Sequence, residues 1–353
     1  MRKLVTVRRI SDIRPIENAD AIECATVEGW SVVVKKGEFR PGDLCVYFEI
    51  DSFLPLVDER FGFLAGNRIT WEGKEGVRLR TVKLRGQISQ GLILPLSGFP
   101  EIEKVCGLHR DSEVELRGID FSADIHVEKW EAPVPASLGG EIEGAFPSFI
   151  SKTDQERIQN LPEILDCSGS DRDDLYEVTV KLDGSSMTVF HNGGMSGVCG
   201  RNWQYRETAT NSLWRIARQD GLLEALDRLG RNIALQGEII GEGIQGNPEK
   251  LRGQEFRLFD VFDIDSYSYL GRKARQEVVV ALTEVGATIR EVPYLGDVGL
   301  GQFEGEMAKI LTFAEGPSLN PQTTREGVVF KRLDGRQSFK VISNRYLLKH
   351  GDR

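Results

Sequence analysis

Hydrophobic and polar residues follow a strand-like pattern in the amino-terminal third of the chain. Short apolar runs recur at close intervals, separated by Gly, Pro, Asn and Asp. They are Leu4–Val7, Trp30–Val34, Leu44–Ile50, Val77–Leu84 and Gly91–Leu96. This spacing is typical of a small all-β domain. We therefore predict a compact five-stranded barrel for this part of the chain.

Longer elements are predicted after Phe149. Apolar residues at helical spacing predict an amphipathic helix from Asn211 to Leu229 and another from Arg272 to Val285. A Thr or Asp cap with Glu156 in the first turn predicts a helix within 152–160. Strands are predicted at 175–180, 233–240, 256–264, 327–332 and 338–342. The second domain is therefore predicted to be α+β with mostly antiparallel pairing.

The hydrophobic period fails between Gly118 and Pro147, where proline and glycine accumulate. We place the connection between domains there. A chain of 353 residues is long enough for about two ordinary domains. The predicted division is a β-barrel domain at 1–120, a linker at 121–147 and a second domain at 148–353.

The composition limits the cellular compartments and the binding partners that we expect for this protein. The five cysteines and four histidines are scattered, which argues against disulfides and structural zinc. The amino terminus has no apolar signal region, and no apolar run is long enough to span a membrane, so we expect a cytoplasmic protein without membrane partners. The net charge of −9 argues against indiscriminate nucleic-acid coating, so any nucleic-acid site must be local.

One basic run in the first domain is a candidate for such a local site. It contains Arg78, Arg80, Lys83 and Arg85. Strand alternation would place Arg78 with Arg80, and Lys83 with Arg85, on common faces. The run is either a solvated strand edge protected by charge or an RNA-binding surface that follows phosphates. The region resembles an OB-fold, and 84–91 resembles the Gly-x-x-Ser-x-Gly turn of tRNA-binding OB modules.

Six motifs follow one another in the second domain. They are Lys181-Leu182-Asp183-Gly184, Gly200-Arg201, Gln236-Gly237-Glu238, Phe259-Asp260-Val261-Phe262-Asp263, 325–331 (REGVVFK) and Ser338-Phe339-Lys340. Their order resembles the covalent nucleotidyltransferase superfamily of RNA ligases, DNA ligases and capping enzymes. With the OB-like domain placed first, the chain resembles the Deinococcus-type ATP-dependent RNA ligases. The resemblance implies an OB-like barrel followed by an ATP-grasp-like ligase domain of antiparallel sheets with flanking helices.

The residue types in these motifs suit nucleotidyl transfer. A free lysine has a pKa near 10.4, so Lys181 must lose a proton before it can attack phosphorus. Desolvation, the cations Lys331 and Lys340 and a bound metal would favour the neutral amine. Solvated strand-end lysines are the alternative for both cations.

Three motif carboxylates, Asp183, Glu238 and Glu326, are predicted to lie at strand ends. Mg²⁺ and Mn²⁺ prefer carboxylate oxygens and retain waters, so we predict that the three hold a catalytic metal, partly through water. Exposed strand-end acids are the alternative. The resemblance implies that Glu238 also serves the ribose and that Glu326 lies at the nucleotide.

The resemblance implies further roles in a lysyl-AMP mechanism. Lys181 would carry AMP, Lys331 and Lys340 would contact the α-phosphate, and Phe262 would stack on adenine, with a core position as the alternative for Phe262. Arg157 and Arg201 would serve the nucleotide or the incoming 5′-phosphate.

The activity that the resemblance implies is ATP-dependent joining of RNA 3′-OH and 5′-phosphate ends. The expected cofactors are ATP and Mg²⁺ or Mn²⁺, and the expected partner is RNA with a nick or free ends. A capping-type guanylyltransferase and a catalytically decayed RNA-binding protein are the alternatives.

Overall fold

The computed structural model describes residues 3–108, 116, 118–131, 133, 140–165 and 174–351. The chain forms two compact units: residues 1–133 with 347–353, and residues 134–346. Part of the predicted linker at 121–147 lies outside the described residues, and the predicted domain bounds stay a prediction. Among the residues described, no helix combines the length and the apolar character needed to cross a membrane.

The first unit is built almost entirely from antiparallel strands. They are β1 (Val5–Pro15), β2 (Ile22–Val27), β3 (Trp30–Lys35), β4 (Leu44–Phe48), β5 (Ser52–Pro55), β6 (Ile69–Trp71), β7 (Lys74–Arg78), β8 (Val82–Leu84), β9 (Gln87–Ser89), β10 (Leu92–Pro95) and β11 (Glu128–Lys129), with helix α1 at Pro100–Leu108. A five-stranded sheet in the order β10-β4-β1-β2-β3 curls into a half-barrel. A second sheet has the order β11-β5-β7-β6, and β8 pairs with β9.

The sequence of β4 is an almost unbroken apolar run because both faces of the strand are buried. Val46 and Phe48 belong to one buried cluster, whereas Cys45 and Tyr47 belong to another. Successive strand residues point to opposite faces, so both faces of β4 are covered. The predicted β-domain is confirmed.

The predicted strand at Val77–Leu84 divides into β7 and β8. Arg85 and Gly86 form the two-residue turn between β8 and β9, with φ of +48° and +85°. Positive φ at both positions is the geometry of a tight hairpin turn. The prediction that Lys83 and Arg85 share a strand face is therefore wrong, because Arg85 lies in the turn.

The second unit contains two larger sheets. The strands are β12 (Ile142–Ala145), β13 (Glu156–Arg157), β14 (Leu175–Lys181), β15 (Ser185–Asn192), β16 (Met195–Cys199), β17 (Trp203–Tyr205), β18 (Ile233–Gly241), β19 (Gln254–Asp263), β20 (Ser268–Tyr269), β21 (Tyr294–Gly299), β22 (Gly327–Arg332) and β23 (Ser338–Ile342). The helices that follow α1 are α2 (Ser212–Gln219), α3 (Leu222–Leu229), α4 (Arg272–Glu284), α5 (Met307–Phe313) and α6 (Asn344–His350).

The sheet orders are β12-β17-β16-β15-β18-β19-β20 and β13-β23-β22-β14-β21. Apolar residues of α2, α3 and α4 pack on the seven-stranded sheet, and those of α5 pack on the five-stranded sheet. Neighbouring strands are antiparallel except for β13 and β23. The predicted α+β class with mostly antiparallel pairing is confirmed.

Two helix predictions need correction. The helix predicted from Asn211 to Leu229 is two helices, because Gly221 adopts a left-handed φ of +66° and breaks the run. Asn211 caps the first of them by accepting the amide N–H groups of Leu213 and Trp214. The helix predicted within 152–160 is wrong, since Glu156 and Arg157 form a short strand beside β23.

Candidate active site

Four of the predicted cations of the second domain, Lys181, Lys331, Lys340 and Arg157, share one face of the five-stranded sheet. Lys181 on β14 is opposite Gly327 on β22, and Lys331, four residues further along β22, is opposite Glu177. Lys340 on β23 is opposite Val329, and it also pairs with Arg157 on β13. Residues opposite each other, and residues two apart on a strand, lie on the same face. The strand register therefore orients all these side chains to one side.

Lys181 is bound to a carboxylate of the neighbouring strand. Its Nζ lies 2.6 Å from Oε2 of Glu326, and both side chains are largely buried. Burial favours the neutral amine, but the negative charges of Glu326, Glu238 and Asp183 outweigh it and raise the pKa of Lys181. The sequence-based expectation of a lowered pKa does not hold for the protein alone.

Asp183 and Gly184 form the turn that follows Lys181. A Cβ on Gly184 would lie 2.4 Å from the Ile239 carbonyl oxygen and 2.7 Å from Cγ of Glu238, so glycine is needed for the close approach of β18. The Tyr346 hydroxyl donates a hydrogen bond to the Asp183 carboxylate. Tyr346 is itself buried, so it restricts the orientation of Asp183.

Glu238 is the third carboxylate near Lys181. It lies within β18 opposite Ser186, so the prediction that it lies at a strand end is wrong. Burial, opposed by the charge of Lys181 and assisted by those of Glu326 and Asp183, raises the pKa of Glu238 to about 7. The structure thus brings the three predicted carboxylates together around one lysine, and a divalent cation would relieve this surplus of negative charge.

As a group of three, the described carboxylates near Lys181 are not arranged to bind a metal ion directly. Within the part of the chain that the structure describes, no group of three or more His, Cys, Asp or Glu side chains has the geometry of a ready metal site. The donor chemistry still suits a hard cation that retains several of its waters. That the three carboxylates hold a cation, partly through water, stays a prediction.

Lys340 and Arg201 both approach Asp154. The Asp154 Oδ1 lies 3.8 Å from Nζ of Lys340 and 3.4 Å from a guanidinium nitrogen of Arg201. Arg201 is mostly exposed, whereas Arg157 is buried in β13. Sequence reasoning missed this contact of Asp154, because it interpreted Thr153 or Asp154 as a helix cap.

Lys331 has a different environment from Lys181. Its Nζ lies 2.8 Å from Oδ1 of Asp260 and also donates a hydrogen bond to the Phe259 carbonyl. Burial lowers the pKa of Lys331 even though Asp260 opposes the shift. Two of its three ammonium donors are thus engaged within the protein. Its predicted contact with the α-phosphate stays a prediction.

Phe262 is a core residue in this structure. Its side chain is 1% exposed and packs edge-on against Tyr267 and Tyr269, at centroid distances of 5.2 and 5.1 Å. Phe262 is thus packed in the core of the protein without nucleotide, and its predicted stacking on adenine stays a prediction.

The basic run of the first unit is not uniform. The Arg78 guanidinium pairs with Asp51 at 2.6 Å and lies over the Trp130 ring at 3.7 Å. Arg80, Lys83 and Arg85 are exposed, as are all three residues of β8. Three of the four cations are thus available to a ligand, while Arg78 stabilises its own unit.

Comparisons with known proteins agree with this architecture. A family model described as an OB-fold domain matches residues 4–96, and one described as RNA ligase matches residues 174–342. A search of curated proteins finds no match.

Solved structures of Naegleria gruberi RNA ligase are similar to the whole chain. An apo mutant is 51% identical, with 99% of this chain and 98% of that chain covered and a TM-score of 0.84. The complex with PPi is 52% identical, and a mutant with ATP and Mn is 51% identical; for each, 99% of both chains is covered and the TM-score is 0.83. Because 51% identity extends over nearly the full length of both proteins, this chain belongs to the RNA ligase family, with an OB-fold domain ahead of the ligase domain.

Proposed function

We propose that this chain is an ATP-dependent RNA ligase that joins RNA 3′-OH and 5′-phosphate ends through a lysyl-AMP intermediate on Lys181. The observation that carries the proposal is a partly buried lysine at the end of β14, surrounded by the carboxylates of Asp183, Glu238 and Glu326. The ATP, Mn and PPi complexes of the Naegleria ligase support the same substrate, metal and product here.

In the first step, the Lys181 Nζ attacks the α-phosphorus of ATP. A nitrogen–phosphorus bond forms as the bond to the bridging oxygen breaks, and pyrophosphate leaves with the bonding electrons. Lys340, on the same sheet face as Lys181, is the strongest candidate for stabilising the charge on the α-phosphate. Arg201 is exposed enough to contact the outer phosphates or the incoming 5′-phosphate.

Lys181 must be deprotonated before this attack. Glu326 holds its ammonium form at 2.6 Å, so the ion pair has to be broken. Asp183, Glu238 and Glu326 would hold Mg²⁺ or Mn²⁺, partly through water. The positive charge of the cation would favour the neutral amine and would stabilise the pentacoordinate phosphorus of the transition state. Tyr346 keeps one of these carboxylates oriented.

The second and third steps use the same site. The RNA 5′-phosphate displaces Lys181 from AMP, and the 3′-OH then attacks the adenylylated 5′-phosphate and releases AMP. Glu326 remains necessary for the last step as a proposed cation ligand, whereas Lys181 does not. The exposed cations of the OB-fold domain, Lys83 and Arg85 among them, are proposed to bind the RNA backbone.

Incubation with α-labelled ATP or GTP tests this assignment. The ligase forms an adduct with ATP, a guanylyltransferase would form one with GTP, and a decayed RNA-binding protein would form neither. A nick that is already adenylylated should be sealed by Lys181→Ala but not by Glu326→Ala, and failure of the former would contradict the proposed order of steps.

Substrate preference and location are part of the same proposal. An RNA 3′-OH end should be sealed better than an all-DNA nick, because a protein can read the 2′-OH beside the break. Equal sealing of both nicks would contradict RNA selectivity. We also propose a cytoplasmic location, supported by cysteines that are odd in number and scattered.

A further inference from the structure

The loop between β18 and β19, residues 242–253, links the strand of Glu238 to distant parts of the ligase domain. Glu249 in this loop is a carboxylate with 6% exposure. A buried carboxylate is costly unless donors satisfy it. The donors here come from the segment between α5 and β22, residues 314–326, which ends at Glu326.

Glu249 holds that segment at two points. One carboxylate oxygen accepts a hydrogen bond from the backbone N–H of Asn320 at 2.6 Å, and the other accepts a hydrogen bond from the Ser318 hydroxyl. Beside them, the Thr323 hydroxyl donates to the Pro248 carbonyl at 2.7 Å. A fourth hydrogen bond runs from the Lys250 ammonium to the Gln322 side-chain oxygen at 3.2 Å. The two segments are about seventy residues apart in sequence, yet these four hydrogen bonds join them.

The same loop also reaches the turn after Lys181. The side-chain amide of Gln245 donates a hydrogen bond to the backbone carbonyl of Gly184 at 3.3 Å. Gln245, Asn247 and Lys250 have left-handed φ angles of +47°, +52° and +54°. Non-glycine residues adopt this conformation only when surrounding contacts hold them there. The loop therefore has a fixed shape and touches the segments that carry Asp183, Glu238 and Glu326.

We propose that Glu249 is a positioning residue that sets the spacing between the Glu238 and Glu326 carboxylates. The inference rests on the proposed function, in which these carboxylates hold the divalent cation. Removing Glu249 leaves the Asn320 amide and the Ser318 hydroxyl without their acceptors, so the segment leading to Glu326 loosens. Loss of hydrogen bonds that orient metal ligands typically lowers metal affinity by about 10–100-fold, so we expect the loosening to weaken cation binding.

The test compares Glu249→Ala, Glu249→Gln and the control Glu242→Ala in the full chain. Glu242 is an exposed acid of the same loop, so the control removes the same charge. Hydrogen exchange is measured across residues 318–326. Formation of the labelled adduct is measured against Mn²⁺ concentration at saturating ATP, and against ATP concentration at saturating Mn²⁺.

Glu249→Ala should speed exchange across residues 318–326 by about tenfold or more. It should raise the half-saturating Mn²⁺ concentration by about tenfold, with a smaller change in the half-saturating ATP concentration. Glu249→Gln retains one acceptor oxygen and should have an intermediate effect. Glu242→Ala should stay within about twofold of the wild type in both measurements.

Unchanged exchange and unchanged Mn²⁺ dependence in Glu249→Ala would overturn the inference. So would a loss of adduct that is equal at every Mn²⁺ concentration, because that result describes only a smaller folded fraction. If the wild type forms no adduct with any metal, the proposed function fails instead. Hydrogen exchange then still decides whether Glu249 holds the segment, since that measurement does not depend on catalysis.

Discussion

Lys181 and Lys331 lie on the same face of one sheet, on neighbouring strands, yet their environments differ. Lys181 ends β14 beside three carboxylates, which raise its pKa against the effect of burial. Lys331 lies inside β22 with Asp260 as its ion-pair partner, and burial lowers its pKa. A chemically identical side chain is thus paired with one buried acid at one position and surrounded by three carboxylates at the other, where it is the candidate nucleophile.

The difference follows from position along the strand. Glu177, opposite Lys331, is itself held by Arg275 through contacts of 2.6 Å, so alternating buried charges surround Lys331. Gly327, opposite Lys181, brings no side chain, and the strand ends there. The glycine is required by the close approach of β23, since a Cβ on Gly327 would lie 2.1 Å from the Val341 carbonyl oxygen. Lys181 therefore differs from Lys331 by its place at the end of a strand, where the three carboxylates gather.

The largest effect is expected at Lys181. Lys181→Ala should abolish the labelled adduct, and Lys181→Arg should do the same because a guanidinium stays protonated and cannot attack phosphorus. Peptide mapping of the wild-type adduct provides the control and should locate AMP on Lys181. An adduct that persists in either variant and maps to Lys331 would reverse the comparison between the two lysines.

Lys331 should matter for folding instead. Lys331→Met leaves Asp260 buried without its cation, and breaking such a buried pair costs about 3–5 kcal/mol of unfolding free energy. Lys181→Met is the matched control and should cost much less, because it removes a cation from a group of like-charged carboxylates that can take up protons. Denaturant unfolding of both variants measures the contrast. Equal losses would show that Lys181 is also structural.

The carboxylates around Lys181 predict a dependence of stability on pH. The pKa of Glu238 is about 7 in the folded protein against 4.5 for the free side chain. Since the folded pKa is raised, the folded state binds more protons between these values, and stability is present below pH 4.5 and lost as pH rises through 7. The loss should be of the order of 1–3 kcal/mol without metal.

Glu238→Gln tests this prediction, because an amide does not titrate. Thermal unfolding of the metal-free wild type should show a Tm that falls from pH 5 to pH 8, and the variant should lack most of this fall. Mn²⁺ added to the wild type at pH 8 should recover the lost stability. A wild-type Tm that rises over the same pH interval would contradict the assigned sign.

The strands that carry the site were predictable from local pattern, whereas its contacts were not. β22 and β23 have the predicted bounds, 327–332 and 338–342, because each is a short segment rich in apolar residues and a turn separates them. The strand at Arg157 was mistaken for a helix, since only its pairing with Lys340 stabilises it. The Tyr346 bond to Asp183 joins residues 163 positions apart, and no periodic pattern encodes such a contact.

The same distinction between engaged and available cations applies to the OB-fold domain, where the smallest effect is expected. Arg80, Lys83 and Arg85 are exposed, whereas Arg78 is held by Asp51 and Trp130. Each phosphate contact contributes about 0.7–0.9 to the log–log slope of RNA affinity against salt. Replacing all three exposed cations with Gln should therefore lower the slope by up to about 2–3 and leave ATP adduct formation unchanged.

Arg78→Gln alone should leave the salt slope nearly unchanged and reduce the stability of the protein, because it removes an ion pair and the contact of its guanidinium with Trp130. Fluorescence titration with a nicked RNA duplex at several salt concentrations gives the slopes, and denaturant unfolding gives the stabilities. The proposal would be contradicted if Arg78→Gln lowered the salt slope by a full unit, or if the triple variant left the slope unchanged. Either result would mean that Arg80, Lys83 and Arg85 are not the residues that bind the RNA backbone. The exposed strand β8 and the turn that follows it would then be a solvated strand edge whose charges prevent pairing with other chains.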